Sequence, residues 1–416
     1  MNFGVLRRGP RVALRNAEGE ESATNPNALI NSLPLPNRAS TIVLSVGSSL
    51  TGAGTVMLGV ILPALSQRWG LRDDQAGFLM FLQFFASGLG ALVTGMNRVR
   101  SMAIGYGLLV ATLCALVVGE KQFAYVAFFF YGLGLGIAIT STSLFFSDRW
   151  GSLRATKLVW LSFAWSAGAT AGPVCILPLL HRGDFGSVFL MMLILFLAMF
   201  VWVILVERQG PAAALVQRTQ RLNRSVQTVF SILLVLAMSF VGVEAVLSGW
   251  LTTYSHRAGI RDLAGAALAT SIFWLGEMLS RLAFSTRLLT KVGGRKVMMW
   301  GSAGVTLSTI LLIAFPHPWV IFLVAGAAGA FVGPLYPLSL SYLLELSPKG
   351  WFFAMGGIGA AIFPWITGLV SAHYHSLRCG LAVPVVAGLG MIMLIVLTFR
   401  RLQPVGTSNP VLAESS

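Results

Sequence analysis

Three ionisable residues stand inside long apolar runs of the chain: Glu244, Glu277 and Arg281. At the centre of a membrane-length helix such a group costs roughly 2.5–3.5 kcal/mol on insertion scales, so it faces a cavity or a partner. Glu244 lies in Phe240-Val-Gly-Val-Glu244-Ala-Val-Leu-Ser248-Gly249-Trp250-Leu-Thr-Thr-Tyr254. Ser248 is one turn on and shares its face. Trp250 and Tyr254 offer aromatic surface on which the apolar side of a sugar ring could stack. Two readings stay open for Glu244. It is a carboxylate that binds a proton or substrate hydroxyls, or a structural acid bonded to backbone or to a neighbouring helix. Glu277 and Arg281 are spaced i, i+4 with the acid first, the favoured order for a helical ion pair. They read as a structural or gating network, with Glu345 and Arg295 as further members, and substrate contact is the alternative. Counting along the helices puts Glu277 about 15 Å below Glu244, which argues against a direct pairing of the carboxylates.

Neutral polar residues supply further candidates. Ser48, Thr51 and Thr55 fall at i, i+3, i+7, one helical face. Such a stripe on a membrane helix packs against another helix or lines a cavity. Gln83 carries both donor and acceptor groups suited to hydroxyls. Tyr131, Thr140 and Trp165 complete the set. The candidate substrate contacts are Gln83, Glu244, Trp250, Tyr254, Thr51 and Trp165, with Glu244 the candidate for proton coupling.

The elements that must position these residues follow from composition. The chain has 416 residues, of which 56% are hydrophobic and only 10% charged, with a mean hydropathy of +0.79. Ordinary globular proteins carry about 25% charged residues. This excludes a soluble enzyme, a disordered chain and a disulfide scaffold. Twelve apolar runs occur, at 41–65, 75–96, 101–119, 124–147, 157–180, 186–206, 227–252, 263–286, 297–315, 318–344, 351–373 and 378–399. Each is long enough for a membrane-spanning helix, and none shows the roughly ten-residue alternation of barrel strands. The expected fold is an all-α membrane protein of twelve helices in two pseudo-symmetric six-helix halves.

Residues 1–40 are polar and are expected to be a disordered cytoplasmic tail. The halves are 41–206 and 227–400, joined by a basic linker at 207–226 and followed by a tail at 401–416. With both termini inside, inner segments hold 21 of the 29 Lys and Arg residues and outer loops hold seven. That bias fixes an orientation with cytoplasmic termini, and the expected location is a bacterial inner (plasma) membrane. It also accounts for the net charge of +15 without nucleic acid, since the basic residues sit in short clusters between apolar runs. Cys114, Cys175 and Cys379 have no CxxC spacing and read as inert buried thiols. No motif for a metal, nucleotide or other cofactor is present, and the chain is expected to work as a monomer.

The halves echo one another. Gly168-Ala-Thr-Ala-Gly172-Pro173 on span five corresponds to the glycine-rich run ending at Pro364 on span eleven. Repeated halves suggest an alternating-access transporter with its site near midplane between them.

These features, with Gly293-Gly294-Arg295-Lys296 after span eight, Phe273-Trp274-Leu275-Gly276, and Gly333-Pro334-Leu335-Tyr336-Pro337 on span ten, resemble the major facilitator superfamily over residues 41–400. The chain looks most like the fucose permease-like branch of sugar–proton symporters. The first-half loop, Gly95-Met96-Asn97-Arg98-Val99-Arg100, departs from the family pattern in having no acid. The resemblance implies secondary transport of a small polar solute, a monosaccharide or polyol, with a proton as the candidate co-ion. The Gly168-x-x-x-Gly172-Pro173 element also resembles superfamily antiporters, so proton-coupled efflux of amphipathic compounds is the alternative. A transport-inactive receptor is a third reading.

Overall fold

The computed structural model describes residues 38–95, 97–118, 121–150, 154–181, 185–207, 224–284, 292–346 and 352–402. Twelve helices in it are long and apolar enough to cross a membrane. Span one is Arg38–Trp69, span two Asp73–Val93, span three Arg98–Val118 and span four Lys121–Arg149. Span five is Arg154–Cys175, span six Phe185–Val206, span seven Arg224–Arg257 and span eight Leu263–Ala283. Span nine is Gly294–Ala314, span ten Pro318–Val332 continued by Leu335–Leu346, and span eleven Phe352–Tyr374. Span twelve is Ala382–Leu402, entered through the single turn Leu377–Gly380. The expected N-terminal tail, most of the linker and most of the C-terminal tail lie outside the described residues.

Successive spans run in opposite directions. The face where span one begins and span twelve ends is called the terminal face here, and the other the far face. Packing repeats with an offset of six spans. Span one packs on five as seven packs on eleven, and two on four as eight on ten. Likewise three packs on four and six, as nine packs on ten and twelve. Between the halves, span two packs along eleven, five along eight, and one against seven.

Backbone proximity makes these pairs tight. A Cβ on Gly132 would lie 2.0 Å from the Gln83 carbonyl oxygen, and one on Gly168 would lie 1.8 Å from that of Ser49. Only glycine admits such approach, and close backbone packing is what holds helices together where no water drives them. The glycine-rich face of span four thus fixes span two, and with it Gln83.

Two spans are interrupted where the sequence withdraws a donor. Span five stops at Cys175 and resumes as the turn Leu177–His181, because Pro178 has no N–H. Span ten stops at Val332 before Gly333-Pro334. Span eight opens at an N-cap: the Asp262 carboxylate accepts from the amides of Ala264 (3.3 Å) and Gly265 (3.0 Å). The three cysteines correct the sequence expectation, for all are exposed. In a membrane protein an apolar run does not imply burial, because the outer surface of the bundle is itself apolar.

Candidate functional site

A narrow cavity lies where the two halves meet. The first half contributes Thr55 and Gly59 from span one, Met80, Gln83 and Phe84 from span two, and Trp165 from span five. The second contributes Glu244 and Ser248 from span seven, Trp274 from span eight and Ala360 from span eleven. Trp165 and Trp274 meet edge to face across the halves, with ring centroids 5.3 Å apart.

Arg281 organises the charges beside this cavity. Its Nη2 is 2.5 Å from Glu277 Oε1 and 3.5 Å from Glu244 Oε2. Its Nη1 donates to Ser166 Oγ on span five at 3.2 Å, and its Nε to the Gly333 carbonyl at 3.1 Å. The last bond has a cause in the sequence. A helical carbonyl normally receives the N–H four residues on, and four residues after Gly333 stands Pro337, which has none. The open carbonyl at the break in span ten is therefore available to a guanidinium. Glu277 is fully buried, whereas the Glu244 side chain keeps 13% of its surface and faces the cavity.

The two carboxylates share one guanidinium, which overturns the separation of about 15 Å expected between them. Span seven continues to Arg257, beyond the expected end at 252. Counted from the far face, Glu244 is 13 residues in from Arg257 and Glu277 is 14 in from Leu263. Both lie about 20 Å from that face at the helical rise. The overshoot of one helix restores them to the same level.

Gln83 is buried within the wall. Its Nε2 donates to the Thr55 carbonyl at 2.9 Å, and its Oε1 has no hydrogen-bond partner among the described residues. Trp274 Nε1 is buried and likewise unpartnered. The Ser48–Thr51–Thr55 stripe divides between its two readings. Ser48 Oγ donates to the Leu161 carbonyl on span five at 3.1 Å, Thr51 bonds its own helix at the Ser48 carbonyl, and Thr55 lines the cavity.

Trp250 and Tyr254 do not line the cavity. The Trp250 indole donates to the Pro364 carbonyl at 3.0 Å, and the Tyr254 hydroxyl donates to the Leu312 carbonyl. Both side chains tie span seven to its neighbours. Arg295 is exposed at the start of span nine. The Glu345 side chain lies outside the described residues.

Sequence reasoning passed over Trp274 and Ser166 as site residues. Trp274, Glu277 and Arg281 are spaced i, i+3, i+7, so one face of span eight carries all three. That spacing was the available signal for Trp274. It also missed a polar clasp on the far face. The Asp73 carboxylate on span two accepts two bonds from Arg257 on span seven, at 2.6 and 2.7 Å, and one from Ser371 on span eleven at 2.5 Å. Just inside it, a Cβ on Gly59 would come within 2.8 Å of the Gly249 backbone. At the terminal face the described ion pair, Arg98–Asp148 at 3.1 Å, stays within the first half.

The Major Facilitator Superfamily model matches residues 44–283 and 261–415. No curated protein sequence matches the chain. Among solved structures it is similar to a peptide transporter, POT, in complex with sulfate, at a TM-score of 0.75 and 14% identity over 92% of this chain and 99% of that one. The nucleoside transporter NupG matches at 0.69 and 12% identity, over 87% of this chain and 99% of that one. A D-xylose–proton symporter matches at 0.67 and 16% identity, over 84% of this chain and 96% of that one. At such identities these likenesses speak to the fold.

Proposed function

The chain belongs to the major facilitator superfamily, an integral membrane transporter of that fold, and on this premise we propose that its solute binds in the cavity around Glu244. The observation that carries the reading is the pairing, in one cavity between the halves, of a carboxylate with two unpartnered buried polar atoms. Gln83 Oε1 accepts and Trp274 Nε1 donates, and each comes from a different half. A buried polar atom without a partner costs about 1–3 kcal/mol, and a polar solute that bonds both recovers that cost. Rocking of the halves would then carry the solute from one face to the other.

A hydroxyl-bearing solute of monosaccharide or polyol size suits this hydrogen-bond set. The narrowness of the cavity, with its few polar groups gathered around Glu244, favours it over a large amphipathic compound. Glu244 is the group whose charge must be balanced each time the cavity closes, and we assign it the coupling role. We place both termini on the cytoplasmic side from the distribution of Lys and Arg.

Reconstituted Glu244→Gln protein tests the assignment. Accumulation against a gradient should be lost while solute exchange across the vesicle persists. Accumulation at the wild-type level would remove Glu244 from coupling.

A further inference from the structure

We propose that the transported solute carries a protonated amine, which docks on the Glu244 carboxylate and the Gln83 carbonyl beside the touching indoles of Trp165 and Trp274. The inference rests on the reading that this cavity is the transport site, and it narrows the class of solute.

The first argument is charge. Two carboxylates meet a single guanidinium, so the cluster holds one negative charge in excess whenever both are ionised. Arg281 cannot turn to serve Glu244 fully, because its nitrogens are held by the Gly333 carbonyl, Ser166 and Glu277. The Glu277 contact is a full ångström shorter, at 2.5 against 3.5 Å, so Glu277 takes the guanidinium and Glu244 carries the surplus. No lysine or arginine is among the described lining residues. A carboxylate in an apolar wall is expensive without a cation, and here the cation must come from solution.

The second argument is the balance of donors and acceptors. One N–H of Gln83 and the hydroxyls of Ser248 and Thr55 are spent on backbone carbonyls, of Thr55, Ala245 and Thr51 respectively, while Trp274 Nε1 stays an open donor. The acceptors are open: both Glu244 oxygens lack a hydrogen bond among the described residues, and so does Gln83 Oε1. A neutral polyol can meet Gln83 Oε1 and Trp274 Nε1 through its hydroxyls, yet it leaves the charge of Glu244 unbalanced. An ammonium brings three donors and no acceptor. The third argument is the wall. Indole faces attract a cation, by up to about 2 kcal/mol where water is excluded.

The test uses the full-length protein in detergent and matched pairs that differ in charge alone: glucosamine against glucose, and putrescine against 1,4-butanediol. Thermal shift and titration calorimetry read binding. The amine member of at least one pair should bind, and its hydroxyl partner should bind at least tenfold more weakly, the factor expected for losing a charged hydrogen bond. Glu244→Gln should weaken the amine to the level of the hydroxyl compound. Gln83→Glu, which adds a second carboxylate to the wall, should tighten it and so provides a readout that misfolding cannot mimic. Equal binding of the hydroxyl partner, or amine binding that survives Glu244→Gln, overturns the proposal and leaves the cavity as a transport site for neutral solutes. Failure of every pair to bind overturns the amine assignment, while the transport reading is judged separately by solute exchange in vesicles of the wild-type protein.

Discussion

Removing the guanidinium of Arg257 should loosen the far face of the bundle. Arg257 clasps Asp73 across the halves with two bonds, and Ser371 adds a third. The Arg257 side chain is 44% exposed and that of Asp73 is 11% exposed, so the pair is partly screened by water. Its worth is then nearer the surface value, about 1 kcal/mol, than that of a buried pair. Arg257→Ala should therefore shift the ratio of closed to open far face by roughly fivefold. Ser371 still bonds Asp73, and the Gly59–Gly249 approach is untouched, so the change is a bias and not an unfolding. The assay places a single cysteine at Ala360, on the cavity wall, after replacement of Cys114, Cys175 and Cys379 by serine. A membrane-impermeant maleimide is applied to each side of vesicles in turn. Labelling from the far face should quicken about fivefold, and labelling from the terminal face should slow. Asp73→Asn should act in the same direction, and the double variant should gain little over either single change, because both act through one contact. Unchanged labelling, or effects that add in full, would refute the clasp as the far-face gate.

Gly168→Ala should lower the apparent melting temperature, since its Cβ would meet the Ser49 carbonyl at 1.8 Å and the helices must part, at a cost of about 1–3 kcal/mol. Arg281→Met should destabilise more severely, by about 3–5 kcal/mol, because it strands two carboxylates. Adding Glu277→Gln to that variant should recover most of the loss in a denaturation series. Pro337→Ala should return an N–H to the Gly333 carbonyl and release Arg281 Nε from it. The expected result is transport slowed severalfold with the melting temperature unchanged or raised, and a wild-type rate would show that this bond does not set the working geometry.

The twelve spans and their repeat were legible because each span is a local property of sequence. An apolar run of about 20 residues can only be a helix in a bilayer, where every backbone group must find its partner within the segment. Glu244, Glu277 and Arg281 were legible for the same reason, as charges that could not face lipid. Gln83 and Trp165 do line the cavity, and Thr51 lies one turn away from it. Trp250 and Tyr254 look identical to such residues in sequence, yet they bond spans eleven and nine. Which way a side chain points around a helix depends on what packs there, and the run of residues holds no record of it.

The sequence by itself determined a membrane bundle of repeated halves with a charge cluster that had to be internal. Tertiary structure decided which partners those charges take. The equal depth of Glu244 and Glu277 depended on how far span seven runs past the far face. The orientation of Arg281 depended on a carbonyl left open by Pro337 on another helix. The clasp of Asp73, Arg257 and Ser371 joins residues up to 298 positions apart. Such contacts are set by the closeness of glycine-lined helices, to within an ångström, and not by the order of residues along any one of them.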